Sequence, residues 1–321
     1  MALLTDLEFD TAAALAAQFG LDLAAIEPLD AGSVNSNFRL TDRAGKIYFA
    51  RLYEEQDHAG AAREHALVAS LDDAKVPVVR ALRGKTGASL ADFAGKAFAV
   101  FPWLDGEILC QRRVSAEACR KLGAALARVH LSSPRAPELP EGRFRVPDLR
   151  LRLERVVAAG RSALLPAVTE IEERLDHYEA RRSGKLELGI CHGDLFRDNV
   201  LWKNGEILAL LDFESACRGN FAYDLMVTAL AWCYGSSFEL ALVEALFAGY
   251  RAVRPVPALE AAELQTEAAI GCLRFATTRL TDFSLRVADG EKPARDYRRF
   301  LERLRAIEAG ALDSCIAALG A

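Results

Sequence analysis

The sequence has no run that approaches the ~18 consecutive apolar residues a membrane-spanning helix needs, which sets a helical membrane protein aside. Its seven cysteines, at 110, 119, 191, 217, 233, 272 and 315, contain no CxxC pair. Neither a zinc-ligand spacing nor a disulfide framework is therefore present, and the thiols read as reduced. An excess of basic charge is also missing. With 40 Lys+Arg against 45 Asp+Glu, a net charge of -5 and no block of like charge, nucleic acid is not an expected partner. The opening MALLTDLEFD carries acid where a signal peptide carries base, so a cytoplasmic location is expected, with no membrane association. What remains is an ordinary globular composition, 51% hydrophobic and 26% charged over 321 residues. A chain of that length buries about three quarters of its unfolded surface without help from a disulfide or structural metal.

The two ends of the chain carry different periodicities. After an amphipathic helix near residues 9 to 19, the runs IEPLDA, SNFRL, KIYFARLY, VPVVRAL and KAFAVFPWL alternate with turn residues, as the strands of an antiparallel sheet do. One helix, over 59 to 73, interrupts them, with Ala62, Ala66 and Leu67 on one face and Glu64 on the same helix. From about residue 114 the period becomes helical: Leu122, Ala125, Leu126 and Val129 recur at i, i+3, i+4, i+7, and Val168, Ile171, Leu175 and Tyr178 do much the same. The runs 238 to 252, 258 to 283 and 293 to 318 follow that pattern too. Between them, apolar runs on either side of Lys203-Asn204-Gly205 predict a hairpin. The expected architecture is α+β and two-lobed: residues 1–103 a sheet-rich lobe, residues 104–321 a larger helical lobe, joined near Phe101 to Gly106.

The chemistry concentrates in His192-Gly193-Asp194-Leu195-Phe196-Arg197-Asp198-Asn199 and in Asp212-Phe213 beyond the hairpin. Asp194, Asn199 and Asp212 are hard oxygen donors. Magnesium prefers a few such ligands and fills its other positions with water and substrate phosphates. Phosphoryl transfer needs one carboxylate to accept the incoming hydroxyl's proton and others to hold the metal, roles that suit Asp194 and the pair Asn199 and Asp212 respectively.

HGDxxxxN followed by LDF and by Ala222-Tyr223-Asp224-Leu225 resembles the catalytic segment of the aminoglycoside phosphotransferase branch of the protein-kinase-like fold. GSVNSNF, FPWLDGE, GDLFRDNVLW, FAYDLMVTALAWC, AGYRAVRP and LRFATTRLTDF further resemble the bacterial homoserine kinases of that branch, over roughly residues 26 to 305. The resemblance implies a two-lobed kinase that uses ATP and Mg2+ to phosphorylate a small molecule with a hydroxyl, homoserine first. It implies Asp194 as general base, Asn199 and Asp212 as magnesium ligands, Asp224 as the holder of the catalytic loop's backbone, and His192 as its support. Gly32, Ser33, Asn35 and Asn37 fall in the phosphate-covering loop. Arg51 falls where relatives carry a phosphate-binding lysine, and Glu64 where that lysine's helix partner stands. Val100, Phe101 and Trp103 fall in the joint that would meet adenine.

The chain departs from that pattern in two places. GSVNSN holds a single glycine, and Glu214-Ser215 follows Asp212-Phe213 where the homoserine kinases favour aromatic residues. Arg274 and Arg279 are candidate ligands for a substrate carboxylate, since a guanidinium meets that group at two points, or else plain structural charges. Asp198, Glu214 and Asp282 are the candidates for an α-ammonium. An amino alcohol, an aminoglycoside or a protein serine remains open as acceptor, as does a nucleotide-binding pseudokinase. Gly84-Lys85-Thr86 reads as a turn, because Val79 stands where a P-loop requires glycine. His130 has no partner at a metal-ligand spacing.

Overall fold

In the computed structural model, which describes residues 5–30, 34–288 and 291–320, the elements follow in the order α1 (Phe9–Gln18), β1 (Leu23–Leu29), β2 (Ser36–Asp42), β3 (Ile47–Leu52), α2 (His58–Asp73), β4 (Ala91–Phe93) and β5 (Lys96–Pro102). Next come α3 (Ala116–Leu131), α4 (Val146–Ala158), α5 (Leu165–Glu179), β6 (Leu188–Cys191), β7 (Val200–Lys203), β8 (Glu206–Leu210) and β9 (Cys217–Asn220). The chain ends in α6 (Phe221–Trp232), α7 (Leu240–Arg251), α8 (Ala258–Asp282), α9 (Arg298–Glu308) and α10 (Asp313–Gly320). They fall into two units, one of Met1–Glu107, Arg135–Leu139 and Leu201–Glu214, the other of Ile108–Pro134, Pro140–Val200 and Ser215–Ala321. Gly32 and Ser33 lie outside the described residues. No helix among the described residues is long and apolar enough to cross a membrane.

The first unit is built on an antiparallel sheet of order β1-β2-β3-β5-β4. Side chains of a strand alternate between faces, so Ala50 and Leu52 of β3 enter the core with Phe38, Leu40, Phe98 and Val100, against Leu15 and Ala16 of α1. The same alternation turns Phe49 and Arg51 to the other face. The Asp57 side chain caps α2 by accepting the Gly60 N–H at 2.7 Å. Its buried face is Ala61, Glu64, Leu67, Val68 and Leu71, whereas Ala62 and Ala66 are exposed, a shift of the expected stripe. VPVVRAL is not a strand of the sheet. Pro77 offers no N–H to a ladder, and the segment makes only a single bridge from Val78 to Leu210, so the fifth strand is Ala91–Phe93 instead. The Asn204-Gly205 turn joins β7 to β8 with both residues at positive φ, as a tight hairpin demands.

The second unit is mainly helix. The stripe Leu122, Ala125, Leu126 and Val129 of α3 is buried as the period predicts, and so is Val168, Ile171, Leu175 and Tyr178 of α5. α3 and α7 cross so closely that a Cβ on Gly249 would lie 1.9 Å from the Arg120 carbonyl oxygen. The run 293 to 318 divides into α9 and α10 at Gly310, whose φ is 81°. A two-stranded antiparallel pair, β6 with β9, leads into the HGD segment.

Candidate active site

The HGD loop follows β6 directly, and a buried carboxylate fixes its backbone. Asp224 lies in the first turn of α6, behind the Asn220 cap, and is fully buried. It accepts the N–H of His192 and the N–H of Gly193, each at 2.7 Å, and the Nε2–H of His130 at 3.0 Å. Burial alone would raise the pKa of this carboxyl, but the bond and charge of His130, the field of His192 and the Gly193 N–H hold it below the ordinary value. With Asp224 ionised, His130 donates from Nε2, and its Nδ1 shares a hydrogen bond of 2.6 Å with the Tyr250 hydroxyl. Arg254 in turn donates to the Tyr250 oxygen at 3.1 Å and pairs two-point with Glu260. Three facts hold the next residues: Gly193 has φ 73°, the Trp232 indole donates to the Leu195 carbonyl at 2.9 Å, and the Asp194 N–H donates to His192 Nδ1 at 3.4 Å.

The Asp194 carboxylate is 35% exposed and, among the described residues, accepts one hydrogen bond, from Arg274 Nη1 at 3.0 Å. Asn199, on a 3-10 turn just before β7, donates its amide to the Asp194 carbonyl at 2.8 Å, which leaves its Oδ1 as the atom for a ligand. Asp212 follows β8 and is the one member of the trio at positive φ, 62°, a conformation that costs a non-glycine residue energy and recurs at functional sites.

In the first unit Asp212 belongs to a cluster of charges. Arg51 Nη1 stands 3.8 Å from its carboxylate, while Arg51 Nε donates to Asn37 Oδ1 at 3.3 Å. Burial would lower the Arg51 pKa, but Asp212, Tyr53, Glu64 and Glu214 together raise it. Glu64 is buried on α2 and is pushed up to about 8 by burial, with Arg51 opposing; it accepts the Phe213 N–H, and its Oε2 has no partner among the described residues. His65 is lowered to about 4 by burial and by Arg51, so it stays neutral between Tyr53 and Ser89. Arg51, Glu64, His65 and Asp212 line a cavity of about 350 Å3 whose other walls are apolar, among them Phe49, Val79, Phe101, Trp103 and Leu210. This is the form of a small-molecule site, apolar with a few placed polar groups.

Of the remaining predicted residues, Asn35 is buried and donates from Nδ2 to Glu214 at 2.9 Å, and Asn37 accepts Arg51 Nε at 3.3 Å. Val100 turns its side chain into the core and gives its carbonyl to the Leu82 N–H, whereas Phe101 and Trp103 face the cavity. Asp198 meets Arg295 at 3.7 Å, and Asp282 accepts Arg152 at 2.9 Å. Arg279 donates to the Asp296 carbonyl, apart from Arg274. Residues that the motif reading missed are His130, Tyr250 and Arg254, behind the loop, and Phe144, stacked on Arg274. The one signal for His130 was its place at the end of the apolar stripe of α3.

Asp212 in the first unit and the Asn199 Oδ1 in the second are each hard oxygen donors of the kind magnesium takes, and no group of three His, Cys, Asp or Glu side chains encloses a cation among the described residues. A cation that keeps water and phosphate in its shell needs no such cage.

Residues 25–256 match the phosphotransferase enzyme family. Similar proteins include the homoserine kinase of Methylobacterium radiotolerans, 34% identical over 283 residues and 85% of each chain, and that of Methylocella silvestris, 33% identical over 269 residues and 81% of each chain. Among solved structures, an amicoumacin kinase complexed with AMP-PNP, Ca2+ and Ami superposes with a TM-score of 0.73 at 18% identity, covering 95% of this chain and 94% of that one. That likeness bears on the fold, a protein-kinase-like one with an antiparallel sheet in its N-terminal part and helices in its C-terminal part. The chain belongs to the phosphotransferase enzyme family, in the branch that holds the homoserine kinases.

Proposed function

We propose that this ATP-dependent kinase transfers the γ-phosphate of ATP to the hydroxyl of L-homoserine, giving O-phospho-L-homoserine, a step of threonine biosynthesis. What carries the acceptor assignment is the 33–34% identity to homoserine kinases over more than four fifths of the chain. Adenine packs in the apolar cavity beside Phe101 and Trp103, and Arg51 directs its charge to the phosphates. Asp212 and Asn199 would hold Mg2+. The metal, when bound, neutralises and orients the phosphate oxygens. Asp194 accepts the proton of the attacking hydroxyl; its carboxylate is part exposed and its backbone is fixed by the bonds from His192 and Gly193 to Asp224. Positioning of this kind supplies much of the acceleration in phosphoryl transfer.

The test is a panel assay of ADP release with homoserine, choline, an aminoglycoside and casein, with O-phosphohomoserine identified by mass spectrometry. Turnover confined to homoserine is expected. Turnover with another acceptor and none with homoserine removes the assignment, and ATP·Mg2+ binding with no transfer to any acceptor identifies a pseudokinase.

A further inference from the structure

Arg274 is a buried cation held largely by aromatic rings. Its guanidinium is sandwiched between two phenyl rings, 3.7 Å from the centroid of Phe275 and 4.2 Å from that of Phe144, and its side chain is 4% exposed. Ring faces attract a cation but accept no directed hydrogen bond of full strength. Of its donors only Nη1 has a protein acceptor, Asp194 Oδ1; Nε is buried without one among the described residues. A half-buried arginine of this chain, Arg182, uses its Nε/Nη2 edge fully. Arg182 sets it against both oxygens of Glu267, at 2.7 and 2.8 Å. In Arg274 that edge is empty of protein carboxylate. A buried donor left unmet costs more than a bond returns, so such an edge is retained where another acceptor completes it.

We propose that the Nε/Nη2 edge of Arg274 is the seat of the acceptor's α-carboxylate, with Nη1 remaining on Asp194. This inference rests on the homoserine reading and adds the residue that selects an amino acid over an amino alcohol. A guanidinium fork matches a carboxylate at two points, and one fork that joins the acceptor's carboxylate to the general base fixes the distance from that carboxylate to the reacting hydroxyl. Phe144 and Gly193, the neighbours of Arg274 and Asp194, line a cavity of about 530 Å3 together with Ser215, Tyr223 and Arg143. Arg143 donates to the Ser215 hydroxyl at 3.3 Å, which brings a second cation to that cavity. A choline or ethanolamine acceptor would leave the fork unmet, and a site built to bond a group rejects the analogue that lacks it.

The experiment compares L-homoserine with 3-aminopropan-1-ol, the same molecule without its carboxylate, on the wild-type protein, Arg274→Lys and Arg274→Met. Affinities are measured by titration calorimetry in the presence of the non-hydrolysable AMP-PNP and Mg2+, and kcat/KM by ADP release. Circular dichroism melts establish that each variant is folded. Loss of the support that Arg274 gives to Asp194 affects both ligands alike, so the ratio between them isolates the carboxylate. The wild type is expected to favour homoserine at least about a hundredfold, and Arg274→Lys to reduce that ratio at least about tenfold. A ratio unchanged in both variants, or no preference for homoserine in the wild type, overturns the seat. Binding preference intact without formation of O-phosphohomoserine overturns the acceptor assignment and leaves the seat standing.

Discussion

Replacing Asp224 by Asn tests whether a buried carboxylate holds the catalytic loop. Asp224 Oδ1 accepts the Gly193 N–H, and Oδ2 accepts both the His192 N–H and His130 Nε2–H. An asparagine has one oxygen and one NH2 in their place. With the NH2 at the Oδ2 position, His130 can change tautomer and accept from it, since Tyr250 can reverse its own hydroxyl bond, but the His192 N–H is then left facing a donor. With the NH2 at the Oδ1 position, the Gly193 N–H is left instead. Either orientation strands one buried backbone donor, worth about 1–3 kcal/mol, and converts the two surviving bonds from charged to neutral, about 1 kcal/mol each. The expected loss is about 3–5 kcal/mol in urea unfolding, with kcat reduced about a hundredfold, because a displaced loop misplaces Asp194. Hydrogen exchange at the amides of His192 and Gly193 should speed up ahead of their neighbours. The Asp224→Asn, His130→Gln double variant should lose less than the sum of the singles, since the two side chains share one bond. Asp224→Asn with under about 1 kcal/mol of lost stability and wild-type kcat would refute the reasoning.

Asp194→Asn should lower kcat by about 10²- to 10⁴-fold while the affinity for ATP, followed by titration calorimetry, changes little; wild-type turnover removes Asp194 from proton transfer. Glu64, whose folded value is raised to about 8 against 4.5 for the free group, binds its proton more tightly when folded. Stability therefore falls as pH rises from about 4.5 to about 8, by at most ~1.4 kcal/mol per pH unit, and Glu64→Gln should flatten that slope in a pH series of urea midpoints. Gly193→Ala places a Cβ 3.0 Å from the Ser215 carbonyl oxygen at a φ of 73°. It should cost about 1–3 kcal/mol and depress kcat more than it raises KM for ATP; a melting point and kcat equal to wild type would show that the loop tolerates the change.

The sequence alone determined the elements and the reaction, because both are written in short-range patterns. Alternation marked β2, β3 and β5, the 3.6-residue period marked α3 and α5, and Asn204-Gly205 marked its hairpin. Asp194, Asn199 and Asp212 could be named because they stand at fixed spacing around that hairpin, and Asp224 because its phrase follows soon after. Where two signals competed, the tertiary fold decided. VPVVRAL has strand-like residues, yet Pro77 and the bridge to Leu210 take it out of the sheet, and α2 is rotated so that Glu64, not Ala62, is buried. Only the tertiary structure could set His130 against Asp224, 94 positions apart, or Arg274 against Asp194, 80 apart. No local period records such pairs. A histidine on a helix or an arginine on another looks like any other polar residue until folding buries it and assigns its partner, and the free energy of an unmet buried donor then makes the pairing specific.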